Sequence, residues 1–150
     1  MRKVAFFAVV LALAVTAVAF AQAKPDFSGT WALDAAKSDQ MGGGGGGGRG
    51  PGGAGPMTIK QTPTEFAVTR GENTTTYKLD GTEHEVAMGQ RTGKATAKVD
   101  AGKVVIKTVF ETPNGSMEQT ATYSLSADGK ELTVVSASQR GERKMVYTKQ

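Results

Sequence analysis

A single histidine, His84, and the absence of cysteine limit what chemistry this 150-residue chain can carry. Zinc and similar metals need three or four N, S or O donors converging on one point. His84 has Glu83 and Glu85 beside it, but in a strand both point to the face opposite its own. The roles left to it are a solitary haem ligand or a hydrogen-bonded residue near a rim, and the second is the simpler. A serine triad would need that same histidine beside an acid, and no Gly-x-Ser-x-Gly elbow occurs. Paired carboxylates could hydrolyse glycosides, yet nearly every Asp and Glu falls in a turn or on the polar face of its strand. The residues predict no catalytic site, no metal and no cofactor, and the chain reads as a non-enzyme.

The glycine tract offers no phosphate chemistry either. Gly42 to Gly48 are consecutive, and the run continues through Arg49-Gly50-Pro51-Gly52-Gly53-Ala54-Gly55-Pro56. A phosphate-cradling loop ends at a helix start, usually with Lys-Ser or Lys-Thr, and neither follows here. The segment from 41 to 56 is expected to be a flexible connection without a buried side. Nucleic acid is disfavoured because the lysines are scattered and the aromatic residues keep to apolar faces.

The elements that would position any site begin after a leader. Arg2 and Lys3 precede an apolar run from Val4 to Phe20 broken only by Thr16, and small residues follow. This predicts a signal-peptide helix over residues 1–23, cleaved after Ala21 or Ala23, and a periplasmic or extracellular location without membrane insertion afterwards. A transmembrane helix is the competing reading of a run this long. Removing Arg2 and Lys3 takes 18 basic residues to 16 against 14 acidic ones, so the net charge falls from +4 to +2 and argues for no particular partner. Without disulfides, residues 24–150 must be held by one core.

From Met57 onward, short β-type runs alternate with compact turns, and no 3.6-residue apolar period persists. Turn residues recur at Thr62-Pro63-Thr64, Gly71-Glu72-Asn73, Asp80-Gly81, Gln90 to Gly93, Asp100-Ala101-Gly102, Pro113-Asn114-Gly115, Asp128-Gly129 and Arg140-Gly141-Glu142. With Phe27 to Asp34 as the opening strand, these eight turns delimit about ten strands in up-and-down order. The fold class expected is all-β, a single antiparallel meander barrel of about 8–10 strands, because closure removes the two edges of an open meander.

Parity sorts each strand into two faces. Phe27, Trp31 and Leu33 share the inward face with Met57 and Ile59, Phe66 and Val68, Tyr77 and Leu79. The series continues through Ala95, Ala97 and Val99, through Val104, Ile106 and Phe110, and through Met117, Gln119, Ala121, Tyr123 and Leu125. It ends with Leu132, Val134 and Ser136, then Arg143, Met145 and Tyr147, and His84 falls in phase with Val86 and Met88. An eight-stranded barrel is about the size its side chains fill, and ten strands enclose more. Ala95, Ala97, Thr108, Ala121 and Ser136 supply little volume, and only seven aromatic residues follow the leader. Either the walls touch, or a mostly apolar cavity with a few polar groups remains. The cavity is the expectation, lined by His84, Ala97, Ile106, Phe110, Gln119, Tyr123 and Tyr147.

Phe27-Ser28-Gly29-Thr30-Trp31-Ala32-Leu33-Asp34 resembles the Gly-x-Trp opening strand of lipocalins and intracellular fatty-acid-binding proteins, and Met145-Val146-Tyr147-Thr148-Lys149 resembles the closing strand of the latter. The chain is also similar to secreted bacterial lipocalin-like proteins, members of the calycin superfamily. The lipocalin resemblance implies that Trp31 closes one end of the barrel beneath Arg143. The fatty-acid-binding resemblance implies a carboxylate-binding Arg two places before Tyr147, where this chain has Met145. The two short helices that cover those barrels are replaced here by the glycine tract.

Two functions fit. One is a carrier that holds a small hydrophobic or amphipathic ligand in the lumen, with His84, Gln119 and Tyr147 as polar contacts. The other is an envelope protein-interaction module with a packed interior, which would bind through its Thr-rich outer faces or the glycine loop.

Overall fold

The structure, a computed structural model, describes residues 24–39 and 55–150. The expected leader and most of the glycine tract lie outside the described residues. Ten strands follow one another: β1 Gly29–Leu33, β2 Met57–Gln61, β3 Glu65–Arg70, β4 Asn73–Lys78, β5 Glu83–Met88, β6 Arg91–Asp100, β7 Lys103–Thr112, β8 Gly115–Leu125, β9 Glu131–Ser138 and β10 Gly141–Lys149. All pair antiparallel in the order β4-β3-β2-β1-β10-β9-β8-β7-β6-β5, so the first and last strands meet and the meander curls into a nearly closed barrel.

Only β4 and β5, consecutive in sequence, share no ladder. Their seam is bridged by side chains: the Thr75 hydroxyl donates to the Ala87 carbonyl at 3.3 Å, and the Tyr77 hydroxyl approaches the Met88 sulfur at 3.9 Å. Complete closure, the economical expectation for a meander, is therefore not reached.

The turns follow the sequence chemistry. The Asp80 and Asp128 side chains each accept a hydrogen bond from the backbone N–H two residues on, at Thr82 and Lys130, while Gly81 and Gly129 supply φ of 73° and 69°. Thr76-Tyr77-Lys78-Leu79-Asp80-Gly81 and Thr122-Tyr123-Ser124-Leu125 followed by Asp128-Gly129 thus use the same hairpin device twice. Gly29 has a different task. Its φ is 142°, and a Cβ there would lie 2.9 Å from the Lys149 side chain.

Alternation makes one end of the barrel, here the base, carry the β2–β3, β4–β5, β6–β7 and β8–β9 turns, while the other end, the mouth, carries the β3–β4, β5–β6, β7–β8 and β9–β10 turns. Phe27 plugs the base. Its backbone N–H donates to Gln61, its carbonyl accepts the Trp31 indole N–H at 3.0 Å, and its ring packs edge-on to Phe66 at 5.8 Å. Phe66 in turn meets Tyr123 at 5.1 Å. These two rings belong to β3 and β8, five places apart in a ten-strand order, so opposite walls touch at this level. The expected cavity does not run the length of the tube, because aromatic rings span it where aliphatic pairs would leave a gap.

The cation over Trp31 is Lys149, 5.5 Å from the ring, and not Arg143. Trp31 pairs with Lys149 in register. Arg143 lies six residues upstream on β10, about 20 Å along a strand, beyond the reach of its side chain.

Candidate ligand-binding cup

Inward positions lose burial in one direction. On β8, Tyr123 is 4% exposed, Ala121 and Gln119 are half-buried, and Met117 is 36% exposed. On β7 the series runs from Val104 and Ile106, buried, to Phe110, half-buried; on β9 from Leu132 and Val134 to Ser138; on β10 from Tyr147 and Met145 to exposed Arg143. Each series opens toward the mouth. Small side chains at Ala95, Thr108, Ala121 and Ser136 occupy the inward positions of the upper half, whereas the base is packed by Phe27, Trp31, Phe66 and Tyr123. The interior is thus a cup, closed below by aromatic rings and lined above by short side chains together with Phe110, Gln119 and Met117.

Into this cup β3 sends Arg70. It ends the strand just before Gly71, whose φ of 58° starts the reversal, and it continues the inward phase of Phe66 and Val68. Its guanidinium donates to the Tyr147 hydroxyl at 3.2 Å and to the Met57 sulfur at 3.3 Å, and lies 5.8 Å from the Tyr147 ring centroid. The Tyr147 hydroxyl also reaches the Met145 sulfur at 3.6 Å. Burial pushes the Tyr123 phenol up from its ordinary pKa, and the charge of Arg70 and a hydrogen bond from it pull it partly back. Burial raises Tyr77 as well, with nearby Tyr123 adding and Arg70 opposing. Phenols from β4, β8 and β10 therefore surround one guanidinium, an arrangement that can bind an acceptor-rich or anionic group inside an apolar wall. Sequence reading passed over Arg70, although extending the Phe66, Val68 alternation by two residues reaches it.

The expected lining residues separate into three groups. Ala97, Ile106, Tyr123 and Tyr147 lie in the buried interior, Tyr147 and Tyr123 on the Arg70 cluster. Phe110 and Gln119 stand half-buried toward the mouth, Phe110 over Gly93, where a Cβ would come within 3.0 Å of the ring. His84 is not brought to them. It sits by the β4–β5 turn at the base, its Nε2 2.7 Å from Asp80 and 2.8 Å from the Thr82 hydroxyl. The turn captures the ring that parity directed inward.

No group of three or more His, Cys, Asp or Glu side chains among the described residues has metal-binding geometry. On the outer surface, a hollow of about 480 Å³ lies between β8, β9 and β10, lined by Lys37, Ser124, Glu131, Lys144 and Val146 among others, with Lys37 ion-paired to Glu131 across it. Its strand positions face outward except Leu125, at the base end of β8.

No family model and no curated protein matches the chain. Among solved structures, secretory abundant heat soluble protein 4 from Ramazzottius varieornatus superposes with a TM-score of 0.56 at 16% identity, covering 85% of this chain and 96% of that one. A fatty acid transporter, REP1-NXSQ, gives 0.56 at 12% identity over 83% of this chain and 96% of its own. A second secretory abundant heat soluble protein from Ramazzottius varieornatus gives 0.52 at 17% identity over 67% and 75%. Identities this low speak for architecture alone: the chain shares the antiparallel β-barrel fold of these structures.

Proposed function

We propose that the protein is an exported, non-enzymatic carrier that holds a small amphipathic molecule in its cup. The observation that carries this reading is the Arg70 guanidinium set among tyrosines inside the barrel, in a wall whose inward side chains toward the mouth are mostly short. Export rests on the charged, apolar and small-residue sequence of residues 1–23. The fold likeness to a fatty acid transporter is compatible with the reading.

The packed base favours a second reading, in which the barrel is filled and binds proteins through its outside. Titration with the neutral fluorophore N-phenyl-1-naphthylamine separates the two. The carrier should enhance its emission saturably, and Ala121→Phe, which fills the half-buried passage above Tyr123, should abolish the signal in a folded protein. Unchanged titration by Ala121→Phe, or no titration by the wild type, excludes the cup.

A further inference from the structure

The three phenols of the interior are unequally served. Tyr147 accepts an N–H of Arg70 at 3.2 Å, and Tyr123 takes a hydrogen bond from the same guanidinium. The Tyr77 hydroxyl has one hydrogen-bond partner among the described residues, the Met88 sulfur at 3.9 Å. A thioether is a weak acceptor. Tyr77 is only 6% exposed, so its donor has given up water for a long contact with sulfur, which leaves most of its desolvation uncompensated.

The strands around it set the direction of that hydroxyl. Tyr77 pairs with Phe66 in register, which places its ring beside the aromatic floor. Met88 pairs with Arg91 and ends β5 at the mouth. A hydroxyl that starts at the floor and reaches Met88 therefore points up the cup along the seam, where β4 and β5 share no ladder. Thr75, the next inward residue of β4, spends its own hydroxyl on the Ala87 carbonyl.

Met88 is one of four described methionines, and all four, Met57, Met88, Met117 and Met145, are in the inward phase. Thioethers are polarizable, adapt their shape and pack well on aromatic rings. Above the floor, the inward positions of β8 run from Ala121 to Met117, about 13 Å along the strand, a depth that suits a compact ring system better than a long extended chain. Burial raises the Tyr77 phenol although Arg70 opposes the rise, so a negative oxygen at this place is disfavoured even with a guanidinium nearby. A carboxylate head would meet the same penalty, and an alcohol would bring a second donor to a sulfur acceptor. A carbonyl brings an acceptor and neither cost.

On the carrier reading given above, we propose that the ligand is a compact aromatic ketone whose carbonyl accepts the Tyr77 hydrogen bond in place of the Met88 sulfur. Met88, half-buried and flexible, moves aside and packs its thioether against the ring.

The test is displacement of N-phenyl-1-naphthylamine from the full mature chain by benzophenone, diphenylmethane, benzhydrol and diphenylacetate, which share two rings and differ in the group that joins them. Benzophenone should displace the probe at concentrations roughly five-fold below diphenylmethane, and below the other two as well. Tyr77→Phe, which keeps the ring beside Phe66 and removes only the hydroxyl, should erase that margin, while Met88→Leu, which removes the sulfur and keeps the donor, should retain it. The infrared carbonyl stretch of bound benzophenone should lie at lower wavenumber in the wild type than in Tyr77→Phe. Equal displacement by benzophenone and diphenylmethane, a margin that survives Tyr77→Phe or is lost in Met88→Leu, or stronger displacement by diphenylacetate overturns the ketone assignment and leaves the cup standing. Failure of all four compounds in a protein that still titrates with the probe does the same. Absence of probe titration overturns the carrier reading and this inference together.

Discussion

Asp80 shows how one exposed side chain fixes a hairpin and withdraws a neighbour from the interior. Its carboxyl is pulled down to about 2, first by the Thr82 backbone N–H, then by hydrogen bonds from His84 and the Thr82 hydroxyl. A carboxyl with a folded pKa below its unfolded value contributes stability that is present above the unfolded pKa of 3.8 and lost as pH falls toward 2. Asp80→Asn should therefore lie below the wild type in urea midpoint at neutral pH and converge with it as the pH falls from 3.8 toward 2; parallel midpoints across that window would refute the assignment. Asp128 and Asp26 are lowered in the same manner through Ser126 and Ser28, so the wild-type acid transition is shared among turns. Parity alone placed His84 in the lumen, since its bond to Asp80 depends on how the β4–β5 turn closes. Arg70 was legible in the same parity, but a charged residue just before Gly71 reads as turn.

At the level of strands and turns, sequence and structure agree closely. Asp-Gly, Asn-Gly and Gly-rich turns needed only local backbone rules, and Tyr77, Val86, Ala97, Ile106 and Leu132 fell on the buried face by period alone. The Phe66–Tyr123 contact was not legible, because it depends on how far the tube leans and flattens, which no single strand encodes. The same limit explains the exchange of Arg143 for Lys149 over Trp31, which is a matter of register between β1 and β10. One turn carries strain. Ala101, between β6 and β7, has φ of 47° and is followed by Gly102 at 76°. A left-handed conformation costs an L residue about 1–2 kcal/mol, so Ala101→Gly should stabilise the protein by about 1 kcal/mol, read as a rise in Tm. A fall in Tm would show that this turn is not strained as described.

For the whole molecule, the cup divides into a rigid floor and an opening whose walls are held unequally. Nine of the ten junctions around the ring are backbone ladders, and the tenth, β4 against β5, is side-chain contact. Amides of β4 and β5 that face the seam should exchange with solvent faster than those of β7 and β8 in native-state hydrogen exchange, and equal protection would contradict an unpaired seam.

That seam works as an expansion joint. A ladder must break several N–H to O=C bonds to lengthen the circumference, whereas here the fastenings are the bond from Thr75 to Ala87, about 1 kcal/mol net, and the burial of Tyr77 and Val86 in the core. The girth of the vessel can thus change without breaking a backbone ladder. A container so jointed would accept contents of differing thickness without first unfolding.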